Sequence, residues 1–228
     1  MRTLLLLPAL ALVACGTDSD LEGDAGSSRD TETVATVAVD ACDALTADVI
    51  SSALGLPAAA VALDQEATDM GRSGEYCTYD VESDKYNRVL VRVTDLGDPE
   101  FAEAAFSRQY RTATDADLEE VREVGNEAIE EAIAEGEIDE AASGAGEMLS
   151  GLMGKFSFLN VEGTGDQAAI EVNGILDPPM PTTIHVRGGV TVYSIEAATA
   201  YPFGNQARDA ENVRADLTEL GRGLASNL

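Results

Sequence analysis

The chain has 228 residues, 45% of them hydrophobic, and carries 42 acidic against 14 basic side chains for a formal charge of −28. A surface that negative repels nucleic-acid phosphates and anionic lipid headgroups, so neither is an expected partner. The excess acid reads either as a solubilising surface or as one that attracts cations or a basic partner.

The first element in chain order is a leader at residues 1–14. Arg2 supplies the positive n-region of a signal peptide, and an apolar run from Leu4 to Val13, broken only by Pro8, supplies its h-region. That run is shorter than the about 20 apolar residues a spanning helix needs. Leu12-Val13-Ala14-Cys15 has the form of a lipobox, ending in the cysteine that a lipoprotein signal peptidase leaves at the new N-terminus. Cys15 is therefore expected to carry acyl chains such as palmitate, each buried methylene adding about 0.8 kcal/mol of membrane affinity. The alternative is ordinary secretory cleavage near Ala14, with Cys15 an incidental thiol. On the lipidated reading this anchor is the chain's contact with the membrane. The protein is then held at a cell membrane or outer membrane, facing the extracytoplasmic side.

Residues 15–40 are rich in Gly, Ser, Thr and Asp and are expected to form a disordered tether, because they bury too little apolar surface to offset ordering entropy. Asp18, Asp20, Glu22 and Gly23 echo the opening of a calcium loop, but Arg29 stands where the closing glutamate belongs, so the match fails. Residues 41–228 are read as one α+β domain, an antiparallel sheet with helices packed on it, interrupted by an acidic helical insertion at about 115–155. With Cys15 assigned to lipid, Cys42 and Cys77 remain. In an oxidising compartment they are expected to form a disulfide closing a loop of about 35 residues, worth roughly 3–4 kcal/mol. Two buried free thiols or a metal pair are the alternatives, the second disfavoured by the single histidine of the chain.

Within the body, Thr46 caps a helix running to Leu54, with Leu45 and Ile50 as a hydrophobic staple and Gly55 in a left-handed C-terminal cap. Ala58 to Leu63 reads as a short strand. Residues 75–81 and 86–94 alternate as a hairpin, with Cys77, Tyr79, Val81, Val89, Val91 and Val93 inward and Arg88 and Arg92 opposite. Asp98-Pro99-Glu100 starts a helix ending at Thr112, with Phe101, Ala105 and Phe106 inward and Tyr110 near its end. From Asp117 to Glu147 there are 12 acids and one base, Arg122. Leu118, Val121, Ala128, Ala132 and Ile133 nevertheless keep helical spacing, so the insertion reads as an amphipathic acidic helix. A second helical piece, Glu147 to Met153, follows the flexible Ser143-Gly144-Ala145-Gly146. The insertion is either a solvated excursion packed on the body or a partner-binding element using Met148, Leu149, Leu152 and Met153.

Phe156 to Val161 reads as a strand, Gly163-Thr164-Gly165-Asp166 as a tight turn, and Ala168, Ile170 and Val172 as the start of the next strand. Pro178, Pro179 and Pro181 mark a loop. Thr182 to Ala197 reads as a hairpin turning at Gly188-Gly189, with Ile184, Val186, Thr191, Tyr193 and Ile195 on one face and His185 and Arg187 on the other. The chain closes with a helix from about Asp209 carrying Val213, Leu217, Leu220, Leu224 and Leu228, its last turns weakened by Gly221 and Gly223.

No catalytic, cofactor or metal residue is assigned. His185 is the one imidazole, but no Gly-x-Ser-x-Gly elbow accompanies it, and it reads as a surface or half-buried sheet residue. Gly144-Ala145-Gly146 lacks the strand-and-helix setting of a phosphate loop. Asp166 is either a cation ligand or, more simply, an aspartate satisfying its own turn.

The order of Cys42, Leu45-Thr46, Cys77-Thr78-Tyr79, Gly163-Thr164-Gly165-Asp166-Gln167-Ala168 and the glycine hairpin, behind a lipobox, resembles a family of bacterial cell-envelope lipoproteins best known from actinobacteria. The resemblance covers about residues 41–113 and 156–228 and departs from the family at the acidic insertion. It implies helices on a curved antiparallel sheet, related to the extracytoplasmic PsbP-like sandwich, and it carries over no catalytic residues. The leading functional expectation is a non-enzymatic, lipid-anchored envelope protein that binds a small ligand or a protein. The alternatives are a cation-binding lipoprotein using the acidic segment and a hydrolase using His185.

Overall fold

The computed structural model describes residues 40–70, 74–135, 145–198 and 209–228. The expected leader, Cys15 and nearly all of the expected tether lie outside these residues. Asp40, assigned to the tether, belongs to the body: its Oδ1 accepts from the Cys42 N–H at 2.9 Å and caps a short helix, α1 (Ala41–Ala44). Helix α2 (Ala47–Ala53) follows, capped by Thr46, and Gly55 takes φ +63° after it. Leu45 and Ile50 are both fully buried, as a staple requires. The stretch read as a strand over 58–63 divides into a 3-10 turn (Ala58–Ala60) and strand β1 (Val61–Leu63). A short helix that the sequence reading did not mark, α3 (Gln65–Asp69), precedes β2 (Tyr76–Val81) and β3 (Arg88–Asp95).

Helix α4 spans Ala102–Gln109, beginning later than its proline signal. Asp98 Oδ1 accepts from the Glu100 N–H at 2.8 Å, so Asp98-Pro99-Glu100 forms a turn before the helix. Phe101 thereby falls outside the inward stripe and is 63% exposed, contrary to expectation, while Ala102, Phe106 and Tyr110, four residues apart, are buried. Helices α5 (Asp115–Ala134) and α6 (Ala145–Met153) form the insertion. Strands β4 (Phe156–Asn160), β5 (Gln167–Asn173), β6 (Met180–Gly188) and β7 (Thr191–Ala198) come next, and α7 (Ala210–Ala225) closes the fold. Pro181, expected in a loop, lies in β6 opposite Val172.

The seven strands of the described residues form one antiparallel sheet in the order β1-β2-β3-β7-β6-β5-β4, giving the α+β architecture expected. Strand alternation sends two sets of side chains to opposite faces. One face gathers Cys77, Tyr79, Val89, Val91, Ile170, Ile184, Val186, Tyr193 and Ile195 beneath α1, α2 and α7. Helix α7 contributes Val213, Leu217, Leu220 and Leu224, all buried, whereas Leu228 lies beyond the helix and is exposed. Gly221 is a contact point: a Cβ there would stand 2.6 Å from Ile184 Cδ1, so the missing side chain lets α7 settle on the sheet. Tyr86 Oη donates to Asp216 at 2.9 Å, tying the β2–β3 hairpin to α7.

Cys42 and Cys77 form a disulfide with a sequence separation of 35 and a Cα–Cα distance of 5.1 Å. It joins α1 to the inward face of β2, and Tyr79 Oη reinforces the joint by donating to the Cys42 carbonyl at 3.3 Å. A Cys42→Ala/Cys77→Ala variant is expected to lose about 3–4 kcal/mol of unfolding free energy in a denaturant titration, and an unchanged midpoint would show that the link constrains little.

Burial, with Asp40 and Asp43 nearby, pushes the Tyr79 phenol up to about 12. Its folded pKa lies above the unfolded value of about 10, so its stabilisation is whole below about pH 10 and is lost as pH rises through about 12. Denaturation series between about pH 9 and 12 should show that decline in the wild type and a shallower one in Tyr79→Phe.

Candidate functional site

Two places outside the main core gather chemistry, both on or beside the second face of the sheet. The first is built on His185. Alternation along β6 turns His185 away from Ile184 and Val186, and the ladder sets it opposite Ser194 on β7 and Ala169 on β5. Helix α4 covers this spot with Phe106 and Tyr110, which pack on Ala169 and Val192. His185 is therefore buried, at 7% exposure, not the surface or half-buried residue expected.

The imidazole stacks on the Tyr110 ring at 4.2 Å between centroids and 27° between planes. Its Nδ1 lies 2.8 Å from Ser194 Oγ. Nε2 has no hydrogen-bond partner among the described residues; Glu171 Oε2 stands 3.6 Å away, just outside bonding reach. A bulge between Glu171 and Val172 shifts the register there, and Glu171 Oε1 sits 3.5 Å from the Thr182 hydroxyl. Burial raises the Tyr110 pKa and Glu171 adds to the rise, while the Ser194 hydrogen bond and Arg92 oppose it.

A serine, a histidine and a carboxylate are thus neighbours, which is the composition of a hydrolytic triad. The geometry does not serve acyl transfer. Ser194 sits inside a strand paired on both sides, with β3 and β6, so its backbone donors belong to sheet ladders and form no oxyanion hole. Tyr110 lies over the imidazole that would have to meet a substrate. What the cluster can do is hold α4 on the sheet through a hydrogen-bonded, stacked brace.

His185 lies on the face that strand alternation predicts, whereas Ser194, Glu171 and Tyr110 are neighbours that no sequence signal marks. The turn explains why. A turn at Gly188-Gly189 would set His185 opposite Val192, whereas the observed turn is Gly189-Val190, with Gly189 at φ +61° and Gly188 opposite Thr191. A slip of two residues keeps every side chain on its face but changes its partner.

Asp166 likewise reaches beyond its own turn. Gly165, at φ +59°, lies where a Cβ would meet the Arg187 carbonyl at 2.7 Å, and this close approach brings the two turns together. Asp166 Oδ2 then accepts from the Gly189 N–H at 2.8 Å and from Arg187 Nη1 at 3.3 Å. The guanidinium occupies the role that a bound cation would fill.

The second place is the insertion. Thr114 and Asp117 form a capping box at the start of α5, and Arg111 grips Asp117 with two hydrogen bonds of 2.6 Å. These bonds hold the Asp117 carboxyl well below the usual carboxylate range. Thr112 Oγ1 accepts from the Phe158 N–H at 2.9 Å, fixing the base of the insertion to β4. Above that base the two helices pack chiefly on each other. They run antiparallel: Gly125 faces Gly146, closely enough that a Cβ would lie 3.2 Å from the Gly146 Cα, and Ser150 Oγ donates to the Leu118 carbonyl at 3.0 Å. Gly146, expected in a flexible link, is inside α6; Ser143 and Gly144 lie outside the described residues.

Leu118, Val121, Ala132 and Ile133 are half-buried, while Ala128 of the expected stripe is exposed. Helix α6 presents Met148, Leu149, Leu152 and Met153 to solvent, from 75% exposure at Met148 to 41% at Met153. Among the described residues no three His, Cys, Asp or Glu side chains converge to hold a metal ion, and no helix is long and apolar enough to cross a membrane.

Ser194→Ala would leave the buried Nδ1 without its partner and is expected to cost about 1–3 kcal/mol in denaturant titrations. His185→Phe keeps the ring stacked on Tyr110 and removes both ring nitrogens, so it should cost less than Ser194→Ala; the reverse order would show that the brace depends on hydrogen bonding by His185 itself. Compared with protein-family models, with curated proteins and with solved structures, the chain matches none of them.

Proposed function

We propose that this chain is a lipid-anchored, extracytoplasmic and non-enzymatic binding module that engages a protein of the cell envelope through its α5–α6 arm. The observation that carries this reading is the exposed run of Met148, Leu149, Leu152 and Met153 on a helix of nine residues that packs on its neighbour in the arm. Four large apolar side chains on one short helix form a contiguous patch of the kind that marks an interaction site. The anchor rests on the lipobox at Cys15 and the leader before it, and an oxidised Cys42–Cys77 pair is what an exported protein would carry. The lipoprotein family resembled in sequence supports the same compartment.

The test uses the full-length protein in its native membrane, with a photo-crosslinking residue at Leu152 or, as a control on an exposed position of the body, at Phe101. A discrete protein adduct is expected from position 152 and not from 101. Metabolic labelling with a palmitate analogue should mark the wild type and spare Cys15→Ser. The same adducts from both positions, or none from 152, would overturn the docking role; an unlabelled wild type would overturn the anchor.

A further inference from the structure

The arm carries information about what could cover its apolar face. Across α5 and α6 there are nine acidic side chains and one basic one, Arg122. Arg111 pairs with Asp117 and Arg122 with Glu119; among the described residues the other carboxylates of α5 have no ion-pair partner. At about 100° per residue, Glu119, Glu120, Glu123, Glu127, Glu130 and Glu131 fill the exposed arc of α5, opposite the half-buried Leu118, Val121 and Ile129 that face inward.

Packed helices lie about 8–10 Å apart and the Debye length at physiological salt is about 8 Å, so the carboxylates at the rim of this arc, nearest α6, act on a partner docked there while those on the far side of α5 are largely screened. A second copy of the chain would bring an equally acidic arm and be repelled, as would an anionic lipid surface. An uncharged apolar partner would gain nothing from the row. A partner with basic side chains flanking an apolar stripe gains both contacts. Helix α6 is about 14 Å long, which suits a helical segment of two to three turns, and its methionines adapt to an irregular partner surface.

We infer that the face formed by Met148, Leu149, Leu152 and Met153 receives a basic amphipathic helical segment of a protein partner, its apolar stripe on α6 and its Lys or Arg side chains toward the carboxylates of α5. This mode places an amphipathic helix on an apolar surface and is recognised by anchors at i, i+3, i+4 and i+7. The inference rests on the arm being a docking element, and the experiment separates the two claims.

The full chain, held by its anchor in uncharged phosphatidylcholine nanodiscs, is titrated with a fluorescent Leu–Lys amphipathic peptide of about 18 residues, or five turns. The references are the same residues in scrambled order, a Leu–Glu counterpart, and a Leu149→Ser/Leu152→Ser chain in identical discs, so that binding to lipid cancels. Both substituted positions are exposed, and an unchanged unfolding midpoint verifies that the body is intact. The amphipathic basic peptide should bind the wild type at least about tenfold more tightly than it binds the double variant, and tenfold more tightly than the scrambled peptide binds the wild type. Raising the salt to about 1 M, where the Debye length is about 3 Å, should remove most of that preference. If the Leu–Glu peptide binds as tightly and is also weakened by the double variant, the arm docks partners but the basic class is wrong. If neither peptide distinguishes the double variant from the wild type, both the partner class and the docking role fall.

Discussion

The register of the β6–β7 hairpin is the constraint on which the other features depend. Because alternate residues of a strand point to opposite faces, the pairing of Ile184 with Ile195 and of Val186 with Tyr193 builds the main core. The pairing of His185 with Ser194 builds the brace under α4 in the same stroke. A one-residue slip would turn the isoleucines outward and bury His185 under α7. The Gly189-Val190 turn sets that register, and the Asp166–Gly189 hydrogen bond together with the Arg187 contacts clamps it from the neighbouring β4–β5 turn.

On the main face, α1 and α7 are fastened by different means. The disulfide and the Tyr79 hydroxyl hold α1 to β2, and Asn227 donates to the Ala44 carbonyl at 3.0 Å, so the segment after α7 closes on α1. Helix α7 lies against β5, β6 and β7 through its leucines and through the gap left by Gly221. The second face is covered differently. Among the described residues α4 shields its centre, and the cover is aromatic, with Phe106, Tyr110 and Phe158 around the imidazole. A polar sheet face acquires a small second core there because the histidine Nδ1 and the serine hydroxyl pair with each other beneath the rings.

Local signals in the sequence translated well where one residue type has one physical use. Thr46 and Asp209 cap their helices, Gly163 and Gly165 take positive φ, and the Cys77-Tyr79-Val81 alternation sits inward. The cysteine pairing was legible because, with Cys15 set aside for the expected anchor, two cysteines allow a single pairing. Errors arose where two neighbouring residues compete for one role. Gly188 and Gly189 can both open a turn, and choosing between them requires the tertiary clamp from Asp166. Phe101 lies one position before the stripe that faces the sheet, which local periodicity cannot distinguish while the helix start is uncertain by a turn. The brace was illegible for the same reason, since it is assembled from α4, β5, β6 and β7, which only the folded sheet brings together. The self-packing of the insertion depends on Gly125, which carries no signal of its own in the sequence, and on Gly146, which reads as part of a flexible link.

The Gly125–Gly146 contact has a consequence of its own. Two helices that meet through bare backbone have a separation set by main-chain atoms, so enlarging either glycine wedges them apart near the far end of α6 from its Gly154 base. Since the arm is joined to the body mainly through Arg111, Thr112 and the turn into β4, that wedge would not travel into the sheet. The spread of the arm is thereby a trait that mutation can tune separately from whether the body folds, and descendants of this chain could diverge in what the arm meets while keeping the same scaffold.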